Sequence, residues 1–194
     1  MAQEEHSHAL GNPAPLAVLA FATTSFMLGV YNAGIVPHGG IVFAMDVALA
    51  FGGLVQVIVA VLEFFAGNTF TTAVFGTYGP FWLALAAFEL WFGRMVPAAA
   101  VASAVTLFLI AFGVLTFIFL VASLKTDKVL VAVFLLIEVA IVFLAIGAAS
   151  GVDSWTRLGG WTTIAFAILA WYHAAAALFA SMWGRQVLPL GRLG

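Results

Sequence analysis

The sequence of 194 residues contains no cysteine, which removes disulfides, thiolate metal sites and a Cys nucleophile. Charge is almost as scarce. Asp, Glu, Lys and Arg make up 7% of the chain, against about 25% in a soluble domain. The lysines are Lys125 and Lys128, in one loop, so a retinal Schiff base inside the membrane has no lysine to form on. His173 is the one histidine deep in an apolar segment, where a b-type haem would usually take two. No Lys or Arg falls in the central part of any apolar segment, which argues against a tight, salt-bridged anion site. The net charge of -2 is too small to point to nucleic acid. No Gly-x-Ser-x-Gly elbow and no His/Asp/Glu cluster of a membrane protease is present.

What fills the chain instead is apolar: 65% hydrophobic residues and a mean hydropathy of +1.19. A bilayer-spanning helix needs about 20 apolar residues. The apolar stretches predict six spans, roughly 14–36, 41–62, 70–92, 98–124, 129–150 and 158–183. Breaks fall at Pro37-His38-Gly39-Gly40, Gly67-Asn68, Gly93 to Pro97, Lys125 to Lys128 and Gly151 to Arg157. The expected fold is an all-α integral membrane protein with six transmembrane helices per protomer. A polar tail (1–11), a six-helix domain (12–184) and a short C-terminal tail (185–194) are expected. The first tail carries Glu4, Glu5, His6 and His8 and lacks a basic segment, so no signal peptide is expected. Its histidines are read as solvated.

An even number of spans puts both termini on one side. That side would carry Lys125, Lys128, Arg185 and Arg192, and the other Arg94 and Arg157, which favours cytoplasmic termini. Trp91, Trp155, Trp161 and Trp183 lie near span ends, as an interfacial belt requires. Small residues recur at Gly52-Gly53, Ala98 to Ala104, Gly147-x-x-x-Gly151 and Ala174 to Ala177, and permit close helix approach within a bundle or between subunits.

Ionisable residues at membrane depth are costly and invite a functional reading. Asp46 reads as an interfacial acid near a helix start. Glu63, before the Gly67-Asn68-Thr69 turn, closes a pore mouth or caps the loop. Glu89 and Arg94 fit a local ion pair. Glu138 lies in mid-span between Ile137 and Val139, and is either a lumen-facing proton-responsive group or a buried hydrogen-bonding acid. His173 is assigned a packing role rather than a proton relay. Thr23, Thr24, Asn32, Gln56, Asn68, Thr69, Thr71, Thr72, Thr77 and Tyr78 add uncharged donors. These suit a small anion that must also leave its site.

Asn12-Pro13-Ala14-Pro15-Leu16 opens the first span. Proline fits the first helical turn, where its missing N–H would be orphaned anyway, and Asn12 can accept a capping bond. An aquaporin uses two Asn-Pro-Ala boxes, and a second is absent. With Phe21, Asn32-Ala33-Gly34, Gly52-Gly53, Gln56, Leu62-Glu63, Gly67-Asn68-Thr69-Phe70, Thr77-Tyr78-Gly79, Phe81-Trp82 and Val187-Leu188-Pro189-Leu190-Gly191, the chain resembles the acetate uptake transporter family, the succinate–acetate permease group.

That resemblance implies a six-helix protomer assembled as a homo-hexamer in the plasma membrane, with a conduction path through each protomer and the signature box on the cytoplasmic side. It implies a constriction built from a Phe, a Tyr and an aliphatic residue. These are Phe21, Tyr78 and Ile137, with Ala170 a small residue beside the path. Asn12, Asn32, Gln56, Asn68, Thr69 and Thr77 are the expected pathway contacts, and Glu63 and Glu138 the proton-responsive candidates. The chain departs from the family pattern in having Ala17 after the box, where Gly is usual, and Ile137 where Leu is usual. It also has Glu138 where a neutral residue is expected. The expected substrates are acetate and similar small carboxylates, with succinate a further candidate, carried by an anion channel or a proton-coupled mechanism. No cofactor and no catalytic residue are expected, so the chain is not read as an enzyme. The alternative is a non-transporting membrane sensor or scaffold of the same fold.

Overall fold

The computed structural model describes residues 11–193, and the acidic run with Glu4, Glu5, His6 and His8 lies outside them. Six helices are long and apolar enough to cross a membrane: α1 (Ala14–Asn32), α2 (His38–Phe65), α3 (Thr69–Met95), α4 (Ala98–Ser123), α5 (Lys128–Ser150) and α6 (Asp153–Trp183). In hydrocarbon every backbone polar group must be satisfied within the segment, which selects helices. Large apolar side chains such as Leu107, Ile118, Val121 and Met182 are more than half exposed on the outer face, as lipid contact requires.

Two ends differ most from the sequence expectation. α1 stops at Asn32 rather than 36, because Gly34 takes φ +73° and the Ile35 N–H turns back to Val30 O at 3.2 Å. α6 begins at Asp153 rather than 158: Gly151, with φ +68°, ends α5 and two residues suffice to reverse the chain. α2 and α3 are not uniform α-helices. Each contains a π-helical stretch, Ala48–Val55 and Phe88–Phe92. Such widened turns are rare and often lie at functional sites.

α1 packs on α6, α6 on α5, α5 on α4, and α2 on both α1 and α3. The small residues explain the closeness. A Cβ on Gly160 of α6 would collide with Ala33 N and stand 2.6 Å from Asn32 C, so α6 lies against the backbone at the end of α1. A Cβ on Gly79 would stand 2.9 Å from Val57 N and 3.1 Å from Gly53 O, so α3 meets α2 in the same way. Gly147 faces Thr156 of α6. The Ala98–Ala104 stretch of α4 stays largely exposed, so its small residues do not serve packing inside the protomer. Arg94 donates to Leu90 O at 3.0 Å, satisfying a carbonyl near the end of α3. The expected Glu89–Arg94 ion pair is absent among the described residues, where the one close contact between a basic and an acidic side chain joins His173 to Asp127.

The C-terminal tail is not free. Leu190 and Gly191 carbonyls accept from the Val129 and Lys128 N–H groups, and Leu193 N–H donates to Thr126 O. The Tyr172 hydroxyl donates to Pro189 O at 2.8 Å. The tail is strapped across the start of α5.

Candidate functional site

Phe21, Tyr78 and Ile137 come from α1, α3 and α5, and are 8%, 4% and 4% exposed. The Phe21 and Tyr78 rings stand 5.2 Å apart, and Phe166 stacks on the other side of Phe21 at 5.6 Å. The Tyr78 hydroxyl is 2.8 Å from Thr116 Oγ1 of α4. Aromatic contacts from Phe119 and Phe81 hold the tyrosine ring on two further sides.

These three residues, and no others, line both of two interior cavities. The first, about 90 Å³, is lined by Ala14 and Val18 of α1, Phe70, Thr71, Val74 and Phe75 of α3, Leu130, Val133 and Phe134 of α5, and Ala170 and His173 of α6, with Gln56 of α2. The second, about 50 Å³, is lined by residues further along the same helices, Ser25 and Leu28, Phe81 and Trp82, Ala140, Ile141 and Leu144, and on the antiparallel α6 Thr163 and Phe166, with Leu109 of α4. On α1, α3 and α5 alike, the residues before the ring face one cavity and those after it face the other. The ring is a septum between them.

Few polar groups face this axis, and several are unsatisfied. Gln56 is fully buried; its Nε2 donates to Gly52 O at 2.6 Å and its Oε1 has no partner. Gly52 lies inside the π-helical stretch. In the second cavity, Ser25 Oγ and Trp82 Nε1 are buried without partners. Buried polar groups left unpaired are costly, so the Ser25 hydroxyl and Trp82 Nε1–H are available donors, while Gln56 Oε1 can only accept. Neither Ser25 nor Trp82 stood out in the sequence as a site residue, since a single Ser or Trp in an apolar helix carries no periodic signal.

His173 Nε2 lies 3.2 Å from Asp127 Oδ2, and its Nδ1 is buried without a partner. Asp127 caps α5 by accepting from Leu130 N–H at 2.9 Å. Burial opposes ionisation of Asp127, but the hydrogen bonds from His173 and Leu130 outweigh it and hold the carboxyl below its ordinary range. The imidazole is thus more than packing: one nitrogen is tethered and the other is uncommitted beside a cavity.

The remaining expected contacts sit elsewhere. Asn12 is exposed and accepts from Ala14 N–H at 3.0 Å, so it caps α1 and lines neither cavity. Asn32 is at the far end of α1, against α6. Thr69 is exposed, and Thr77 is partly buried beside Tyr78 outside both linings. Asn68 and Glu63 form a clamp: the fully buried Glu63 accepts from Asn68 Nδ2 at 2.6 Å and Thr71 Oγ1 at 2.5 Å. Glu63 thereby fixes the α2–α3 turn. Glu138 does not face the path. One α-helical residue past Ile137 is a rotation of about 100°, and this carries Glu138 into an outer groove lined by Ile110, Gly113, Val114, Phe117, Ile141, Val142 and Ala145. Ala170 does line the first cavity.

A succinate-acetate/proton symporter, SatP, of Escherichia coli strain K12 is 34% identical over 182 residues, covering 94% of this chain and 96% of that protein. Acetate permease A of Emericella nidulans is 31% identical over 196 residues, covering 92% of this chain and 65% of that protein. The solved structure of the bacterial acetate channel SatP superposes with a TM-score of 0.88 at 33% identity, covering 94% of this chain and all of that one. The family model described as the GPR1/FUN34/yaaH family matches residues 1–190, and the chain belongs to that family.

Proposed function

We propose that this chain carries acetate and similar small carboxylates across the membrane, along the axis joining the two cavities. The observation that carries this reading is the septum: Phe21, Tyr78 and Ile137 alone line both cavities. Relatives named as acetate transporters support the substrate class. They also favour a transporter over an enzyme or a non-transporting sensor.

A carboxylate needs donors for its oxygens and apolar walls for its methyl. In the first cavity the second N–H of Gln56 Nε2 is uncommitted, since an amide has two. The Tyr78–Thr116 pair holds two O–H groups and spends one between them, so one remains to donate at the septum. In the second cavity Trp82 Nε1–H and the Ser25 hydroxyl are free. These neutral donors bind an anion without a counter-charge, so it can leave again. The apolar septum sets the size limit, and Ala170 keeps its wall of the first cavity open.

The Lys and Arg distribution supports a cytoplasmic side for the first cavity, the N-terminal box and the strap, in the plasma membrane. Assembly into a homo-hexamer is supported by the exposed small residues Ala98–Ala104 of α4, which allow close helix approach between subunits.

Labelled acetate uptake into proteoliposomes tests the reading. Uptake under voltage alone identifies an anion channel, and uptake that requires inward protons identifies symport. Folded protein that gives no flux above protein-free vesicles under either condition overturns it.

A further inference from the structure

We propose that His173 is a proton-binding carboxylate site at the mouth of the first cavity, oriented by Asp127. The inference rests on the transport reading and adds to it the residue that takes up a proton with the anion.

The geometry sets which nitrogen does what. An ionised carboxylate can only accept, so Asp127 Oδ2, 3.2 Å away, takes the hydrogen of Nε2. That bond fixes the tautomer and leaves a lone pair on Nδ1. The Nδ1 atom is buried and has no partner, while the ring lines the first cavity. Tethering one imidazole nitrogen to a carboxylate defines the task of the other. Asp127 is itself held, because its second oxygen caps α5 through Leu130 N–H.

Among the side chains that line this cavity, His173 is the one with an ionisable nitrogen, and Glu63 lies behind the lining with one oxygen unpaired. From α1 the cavity lining is Ala14, Val18 and Phe21, with no ionisable group. From α2 comes Gln56, and from α3 come Thr71 and Tyr78. Glu63 stands behind Thr71 and is bonded to it, and the Tyr78 hydroxyl is paired with Thr116. Next to Asp127, Lys128 and Arg192 are exposed, and on α6 the Tyr172 hydroxyl is turned to Pro189. Glu138 faces the outer groove instead.

The step balances simply. An undissociated acid gives its O–H proton to the Nδ1 lone pair, leaving an imidazolium hydrogen-bonded through Nδ1–H to the carboxylate. Return of the proton to the carboxylate oxygen restores the neutral ring and releases the acid.

The test is acetate uptake into proteoliposomes as a function of pH, with protein-free vesicles giving the leak of undissociated acid. In the unaltered protein, apparent affinity should fall several-fold as pH rises from acid to neutral. His173→Gln, which keeps hydrogen bonding but cannot hold the proton, should flatten that dependence. Asp127→Asn, which keeps the helix cap, should displace its midpoint. A second measurement does not depend on transport. In protein with His6, His8 and His38 replaced by Gln, nitrogen NMR of the remaining imidazole should show Nδ1 gaining a proton when acetate is added at constant pH. Flux with an unchanged pH profile in folded His173→Gln, or an imidazole signal indifferent to acetate, overturns the proposal. Absence of any flux in the unaltered protein overturns the transport reading, and this inference with it.

Discussion

The Tyr78 hydroxyl and Thr116 Oγ1 stand 2.8 Å apart in a buried contact between α3 and α4. Tyr78 is the septum residue with a polar tip, and Thr116 fixes where that tip points. Thr116→Val should leave the hydroxyl without a buried partner at a cost of about 1–3 kcal/mol. Removing both groups in Tyr78→Phe/Thr116→Val should cost less than the separate changes summed. A double-mutant cycle on melting in detergent measures this; simple additivity would show the contact carries no coupling.

Ile137 closes the septum from α5 and is 4% exposed. Ile137→Ala should raise lactate uptake relative to acetate, because a wider ring admits the extra hydroxyl. Emptying a buried isoleucine site costs about 2–5 kcal/mol, so flux must be normalised to folded protein. An unchanged lactate-to-acetate ratio would remove Ile137 from the size limit.

Glu138 lies on the outer groove between α4 and α5. Glu138→Gln should therefore leave the pH profile of acetate uptake where it is. The sequence alone left Glu138 open between a proton-responsive group in the lumen and a buried hydrogen-bonding acid. A displaced profile would mean the groove communicates with the path.

Asp127 ionises more readily in the fold than its ordinary value of 3.8, despite burial, because of its bonds to His173 and Leu130. A lowered carboxyl stabilises the fold above that ordinary value and loses the contribution as pH falls through the lower folded one. Asp127→Ala should lower the melting temperature at neutral pH, with the lost cap costing about 1 kcal/mol. Asp127→Asn should lower it less. Both differences from the unaltered protein should shrink at the acid end, which a melting series against pH would show.

Gly160 allows α6 to lie on the end of α1, with a Cβ there meeting Ala33 and Asn32 backbone. Gly160→Ala should reduce the yield of folded protein sharply, since backbone cannot move aside as a side chain can. Gly76, whose Cβ would have 3.7 Å to Ala60, should accept Ala with little loss.

The six spans were legible because hydrocarbon thickness and apolar run length are the same statement in different units. The box with Phe21, the Thr77-Tyr78-Gly79 string and Ile137 also pointed to residues that the fold gathers into one ring. What sequence could not show was rotation about each helix axis. Ile137 and Glu138 are neighbours in the chain and face different surroundings. Asn68 reads as a pathway group and Glu63 as a pore-mouth acid or a loop cap, and at the turn one Glu63 oxygen accepts from Asn68 while the other is buried without a partner. The His173–Asp127 pair joins α6 to the α4–α5 turn across a separation of 46 positions, a distance over which no local pattern reaches.

The strap also bears on how the molecule is made. Lys128 and Val129 N–H groups, at the first turn of α5, find their acceptors only in Gly191 and Leu190, which are synthesised after all six spans. N-terminal segments are generally synthesised and structured first, so the fifth span must wait, with those donors unpaired, until the sixth has been made and the strap can fold back.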